Sequence, residues 1–131
     1  MAYLKPPWFT VRIFNRIAMA TGIAGTETLT LTGRSSGRLQ RIPVIAVEVD
    51  GNRYLVSTRG ESDWVKNVRV DPAVSLGGRG TGMRFTAAEV PLGDRPPILR
   101  AYRDKAGKTV EGYFASLPDA ADHPVFKLIP V

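Results

Sequence analysis

Glycines, hydroxyls and arginines crowd one short stretch of the chain, Leu31-Thr32-Gly33-Arg34-Ser35-Ser36-Gly37-Arg38, with Arg41 three residues on. Two glycines let a backbone turn tightly and present N–H groups to a ligand. Ser35 and Ser36 add hydroxyl donors, and the planar forks of Arg34, Arg38 and Arg41 match phosphate or carboxylate oxygens. No acidic residue lies between Glu27 and Glu48. Charge-assisted bonds from guanidinium are among the stronger polar contacts, so three arginines around one turn suit an anion with several charged groups. Taken alone, the pattern also fits a solvated hairpin tip.

A second stretch adds to it. Val56-Ser57-Thr58-Arg59-Gly60 runs into Ser62-Asp63-Trp64-Val65-Lys66-Asn67-Val68-Arg69, which reads as a strand end, a short loop and a helix start. A helix N-terminus offers free backbone N–H groups and a positive dipole end, and two such sites suit an elongated anion. Asp63 and Asn67, four apart, share a polar helix face, while Trp64 and Val68 share an apolar one. Trp64 serves there as a core anchor or as a cofactor contact.

Composition removes competing chemistries. The chain has no cysteine, which excludes disulfides, thiolate zinc sites and cysteine nucleophiles and makes a reducing, cytoplasmic location the expectation. His123 is the only histidine, so a metal centre would lack its usual ligands, and a Ser-His-Asp hydrolase is poorly supported. His123 itself reads as a structural hydrogen-bonder, with substrate-side acid chemistry as the alternative. A net charge of +6 favours an anionic partner: nucleic acid, a phosphorylated cofactor or an acidic membrane. No apolar run is long enough to span a bilayer, and the apolar N-terminal stretch carries arginines, so neither a spanning helix nor an ordinary signal peptide fits.

The elements that must hold these stretches follow from periodicity. Residues 1–131 are expected to form a single domain, with 1–22 as an arm and helix. The helix runs about Trp8–Thr21, with Phe9, Ile13, Ile17 and Ala20 on one side and Arg12, Asn15 and Arg16 on the other. It covers the core or touches a membrane surface, in which case the protein associates with the inner face of the membrane. Glu27–Thr32 alternates strictly, as a half-buried strand requires. Ile42–Val49 is the next strand, closed by Asp50-Gly51, a hairpin signal, before Tyr54-Leu55-Val56 returns antiparallel. Pro43 implies an edge, a bulge or a backbone facing a ligand. Ser62 caps a helix to about Arg69, and Asp71-Pro72 ends it. Strands at Ala73–Leu76 and Phe85–Val90 flank a glycine-rich connection. Helices at Asp94–Lys105 and Thr109–Leu117 and a strand at Phe126–Ile129 complete the chain. The fold class is α+β, mainly β: a small antiparallel barrel or strongly bent sheet with helical lids.

Three spaced strings carry a resemblance: Leu31-Thr-x-Gly-Arg-Ser-Ser-Gly-Arg-x-x-Arg41-x-Pro43-Val44, then Gly51-x-x-Tyr54-Leu-Val, then Gly60-Glu-Ser-Asp-Trp64-Val-Lys-Asn67-Val-Arg69. Together they resemble the deazaflavin-dependent nitroreductase family over about Leu29–Val90. The resemblance implies a split β-barrel that binds coenzyme F420, whose phosphate and oligoglutamate tail are anionic, and that passes a hydride to quinones, nitro compounds or conjugated enones. It assigns Arg34, Ser35, Ser36, Gly37, Arg38 and Arg41 to the tail and phosphate and Pro43 and Val44 to positions beside the ring. Ser57, Thr58, Arg59 and Gly60 fall to a second phosphate-side loop, and Trp64 and Asn67 to the helix closing over the cofactor. Many members carry a basic residue at Ser35 and an arginine at Gln40, so tail affinity here is expected to be lower or differently distributed.

A hydride carrier does the hard chemistry itself, leaving the protein to bind, orient and exclude water. After hydride transfer the acceptor needs a proton, from solvent or a nearby acid; Tyr113 and Tyr54 are the candidates. Tyr102, Tyr113 and Phe114 form either an acceptor wall or core packing. The expected partner is a small-molecule electron acceptor, with the protein a monomer or homodimer. Alternatives from other classes are a non-catalytic carrier of F420, a flavin mononucleotide protein and, last, a nucleic-acid-binding barrel.

Overall fold

The computed structural model describes residues 26–77 and 82–131. The helix expected over Trp8–Thr21, with its membrane reading, lies outside the described residues, as does most of the glycine-rich connection. Seven strands form one antiparallel sheet: β1 (Thr26–Thr32), β2 (Leu39–Ile45), β3 (Val47–Val49), β4 (Asn52–Val56), β5 (Ala73–Gly77), β6 (Met83–Glu89) and β7 (Val125–Pro130). Their order is β2-β1-β5-β6-β7-β4-β3. Among the described residues three α-helices accompany them: α1 (Asp63–Val70), α2 (Arg95–Ala106) and α3 (Lys108–Ser116).

Side-chain alternation decides which face each strand buries. In β1, Leu29 and Leu31 point inward and are fully buried, while the threonines between them point out. The inward residues of β1, β4, β5, β6 and β7 all join one cluster, including Leu29, Leu55, Leu76, Phe85 and Phe126. A flat sheet would hold β1 and β4 about 19 Å apart, four strand spacings. Instead Arg53 of β4 reaches Glu27 of β1 at 3.8 Å. The sheet therefore curls on itself as a split β-barrel, and α1 plugs it: Val65 and Val68 are buried in the cluster and Trp64 packs on Phe126 with ring centroids 5.7 Å apart.

The strand expected over Ile42–Val49 begins earlier, at Leu39, and breaks at Ala46. The break has a physical cause. Its two halves have different partners, β2 pairing with β1 and β3 with β4, so one chain run joins both edges of the sheet and must turn a corner between them. Lys105, at the end of α2, donates from Nζ to the Ala46 carbonyl at 2.6 Å, satisfying a group that the corner takes out of the ladder. Pro43 lies in β2, an edge strand, where a missing N–H is tolerated. Asp50 and Gly51 both adopt positive φ, 52° and 81°, the geometry of the tight hairpin turn that joins β3 to β4.

A second core lies on the outer face of β3, β4 and β7. There α2 and α3 bury Ile98, Leu99, Tyr102, Val110 and Phe114 against Val47, Val56 and Val125. Gly107, at φ 64°, separates the two helices. Among the described residues no helix is long and apolar enough to cross a membrane, and no three potential metal-ligating side chains come together.

Candidate functional site

The β1–β2 turn is built by its own backbone. Gly33 N–H donates to Arg38 O at 2.8 Å, Gly37 N–H donates to Gly33 O at 2.9 Å, and Arg38 N–H donates to Ser36 Oγ at 3.1 Å. Gly37 has φ 70°, a conformation that a side chain would strain. Arg34, Ser35, Ser36, Gly37 and Arg38 are all exposed on this tip. Arg41 follows on β2 opposite Thr30, and Pro43 lies opposite Thr28. Val44 presents the other face of the strand and packs against the barrel interior, so alternation separates it from Pro43.

Asn67 joins the two stretches. It is buried at 3% exposure on α1, and its Oδ1 accepts from the Arg34 backbone N–H at 3.0 Å and from Arg34 Nη1 at 2.7 Å. Its Nδ2 donates to Gln40 Oε1 at 3.2 Å. Arg34 also reaches Asp63, an ion pair of 3.6 Å. These bonds clamp the turn onto the helix across 33 residues of sequence.

The loop before α1 is held from inside. Ser57 is buried, and its Oγ donates to Gly60 O at 2.5 Å and lies 3.5 Å from Ser62 Oγ. Ser62 occupies the N-cap position of α1 but makes no side-chain cap bond, its hydroxyl being turned towards Ser57. His123 Nδ1 sits 2.9 Å from Ser57 O, and Ser57 N–H donates to Pro124 O at 2.9 Å, tying the loop to the C-terminal segment. Thr58 and Arg59 are half-exposed at the loop's tip.

Tyr113 and Tyr54 both belong to the second core as partly buried members. Tyr54 lies opposite Val47 and Lys127. Tyr102 is buried beside them; burial pushes its hydroxyl up to about 12, with Arg59 pulling the other way and Tyr113 adding to the rise.

An ion-pair network stands next to the loop. Arg69 binds Glu61 at 2.5 Å and Glu89 at 2.7 Å, and Glu89 also meets Arg95 at 3.3 Å. Arg95 is buried and donates to Val90 O and Ala120 O. The Arg69 hydrogen bond holds the Glu89 carboxyl below the usual range, against partial burial, and the same two carboxylates raise Arg69. Neither this network nor the Asn67 clamp is readable from local spacing.

Ion pairing sorts the arginines by role. Arg34, Arg53, Arg69, Arg95 and Arg103 each pair with a carboxylate. Arg38, Arg41 and Arg59 have no carboxylate partner among the described residues, nor do Arg84 and Arg100. Three of these five belong to the two stretches singled out above, so the donor set of turn and loop fits an anionic group. Arg38, Arg41, Ser35 and Ser36 would hold its charges from the turn side and Arg59 from the loop side.

Comparison with known proteins agrees on fold and family. The sequence profile of the F420H(2)-dependent quinone reductase family matches residues 10–114. No curated protein matches by sequence. Solved structures share the fold: a domain-swapped dimer at 23% identity and TM-score 0.61, covering 92% of this chain and 94% of that one. An F420-H2 dependent reductase, FDR-A, superposes at 24% identity and TM-score 0.60, covering 80% and 94%. A putative pyridoxamine 5'-phosphate oxidase from Listeria innocua reaches 16% identity and TM-score 0.56, covering 81% and 83%. Profile and fold together make the chain a member of the F420H(2)-dependent quinone reductase family, oxidoreductases whose cofactor is coenzyme F420.

Proposed function

We propose that this reductase delivers a hydride from reduced F420 to a quinone-type acceptor, and that the β1–β2 turn with the Ser57–Gly60 loop forms the cofactor clamp. Bound in reduced form, the deazaflavin supplies the hydride. The chain binds the anionic groups through Arg38, Arg41 and Arg59, with Ser35 and Ser36 as hydroxyl donors. Asn67 and Arg34 keep turn and helix in one geometry, and Trp64 closes the barrel beneath them. A quinone that takes the hydride, two electrons and one proton, needs one further proton to become a hydroquinone. Tyr113 and Tyr54, both partly buried in the second core, are the candidate donors.

The observation that carries this reading is the group of cationic side chains on the two stretches that have no carboxylate partner among the described residues. Its test is a fluorescence titration with oxidised F420, run beside flavin mononucleotide under the same conditions. Arg38→Ala combined with Arg41→Ala is expected to weaken F420 binding about tenfold to a hundredfold, the loss of two charge-assisted contacts. Equal affinity in wild type and double variant would remove the clamp, and tighter binding of flavin mononucleotide would overturn the cofactor. Oxidation of the reduced cofactor by a small naphthoquinone checks turnover.

A further inference from the structure

His123, the chain's only histidine, is completely buried and has no part in the chemistry above. Its Nδ1 lies 2.9 Å from the Ser57 carbonyl oxygen and its Nε2 lies 2.6 Å from the Leu117 carbonyl oxygen. A carbonyl oxygen can only accept a hydrogen bond. A neutral imidazole carries one N–H, so one contact would set a ring lone pair against a carbonyl lone pair, sealed from water. With both nitrogens protonated, each contact becomes a charge-assisted donor bond, and such bonds are short. The ring also lies flat on Phe114, centroids 4.2 Å apart and planes 23° from parallel, so its orientation is fixed by packing.

We infer that His123 is held as a two-donor imidazolium and is a positioning residue for the reductase, bracketing the Ser57–Gly60 loop to the end of α3. The inference rests on the reading of that loop as part of the F420 clamp. One end of the bracket is Ser57, whose hydroxyl shapes the loop carrying Arg59. The other is Leu117, which follows the helix that carries Tyr113. A single ring thus bridges the clamp loop and the end of the helix that carries Tyr113, a candidate proton donor. Arg103 lies 4.7 Å from the centroid of the Phe114 ring that stacks on His123. Arg103 and Arg95 are matched by Glu111 and Glu89, and the nearest polar partners are the two carbonyl oxygens, which favour the cation.

The sole histidine makes the test unambiguous. In ¹⁵N spectra of the full-length protein at neutral pH, both ring nitrogens are expected to carry protons; a neutral tautomer would overturn the inference. His123→Gln keeps one donor and removes the charge. This variant is expected to fold and to bind F420 about threefold to tenfold more weakly. A folded His123→Gln protein with wild-type affinity would refute the positioning role. Failure of the wild type itself to bind F420 would count against the clamp, while the ring-nitrogen spectrum would still decide the protonation.

Discussion

Replacing Asn67 by leucine tests the connection between the two halves of the site. The two side chains share a fork at Cγ, leucine being the bulkier, so the change is chiefly in polarity. Three hydrogen bonds are lost: from the Arg34 backbone N–H, from Arg34 Nη1 and to Gln40. The backbone bond contributes about 1 kcal/mol, and the guanidinium bond, about 2 in a buried setting, is reduced to about 1 by water access. The Gln40 bond, made to an exposed partner, adds about 0.5. Asn67→Leu should therefore destabilise by about 2–3 kcal/mol, lowering the melting temperature by about 10 °C in a domain of this size. Asn67→Asp keeps both acceptor bonds and places a carboxylate against Arg34, while Gln40 can turn its amide to donate. That variant should stay within about 1 kcal/mol of wild type. Thermal and urea unfolding without cofactor measure both, and F420 titration then reports whether loosening the turn costs affinity. A leucine variant as stable as wild type, or an aspartate variant as damaged as the leucine one, would refute the role given to this residue.

Two further outcomes follow from the same kind of accounting. Glu89 is held below its ordinary value of about 4.5 in the folded state, chiefly by the Arg69 hydrogen bond. Its contribution is thus present above that value and lost as the pH falls through the lower folded one. Arg69→Met should cost about 1–2 kcal/mol at neutral pH and flatten the acid side of the stability curve, as read by melts across pH; an unchanged acid limb would show the network to be idle. Lys105→Met should cost about 1–2 kcal/mol by leaving the Ala46 carbonyl unpaired, with faster amide exchange around residues 45–47 as its local signature.

Local features of this fold were legible in the chain. Alternation in Thr26–Thr32, the Asp50-Gly51 turn and the breaks at Asp71-Pro72 and Gly107 each reflect sterics or periodicity within a few residues. The corner at Ala46 was not, because hydrophobic alternation continues through it unbroken; only the change of strand partner marks it. The same limit applied to the site. Glycines and arginines of the β1–β2 turn announced an anion, but nothing within that turn says that Arg34 faces Asn67 while Arg38 and Arg41 do not pair with carboxylates. His123 was legible as a structural hydrogen-bonder, but its partners were not, since both are main-chain carbonyls, which every residue possesses.

The position of β7 bears on how the molecule assembles. This strand, the last in chain order, inserts between β6 and β4, and its pairing of Phe126 with Leu55 joins segments far apart in sequence. Until it docks, the β3–β4 hairpin has no strand neighbour in the sheet on its β4 side, and Ser57 lacks Pro124 and His123. Closing so long a loop before any contact compensates it slows folding. Docking of β7 therefore completes the barrel and the Ser57–Gly60 loop together, and a chain with β7 undocked would expose two unpaired strand edges open to association with other chains.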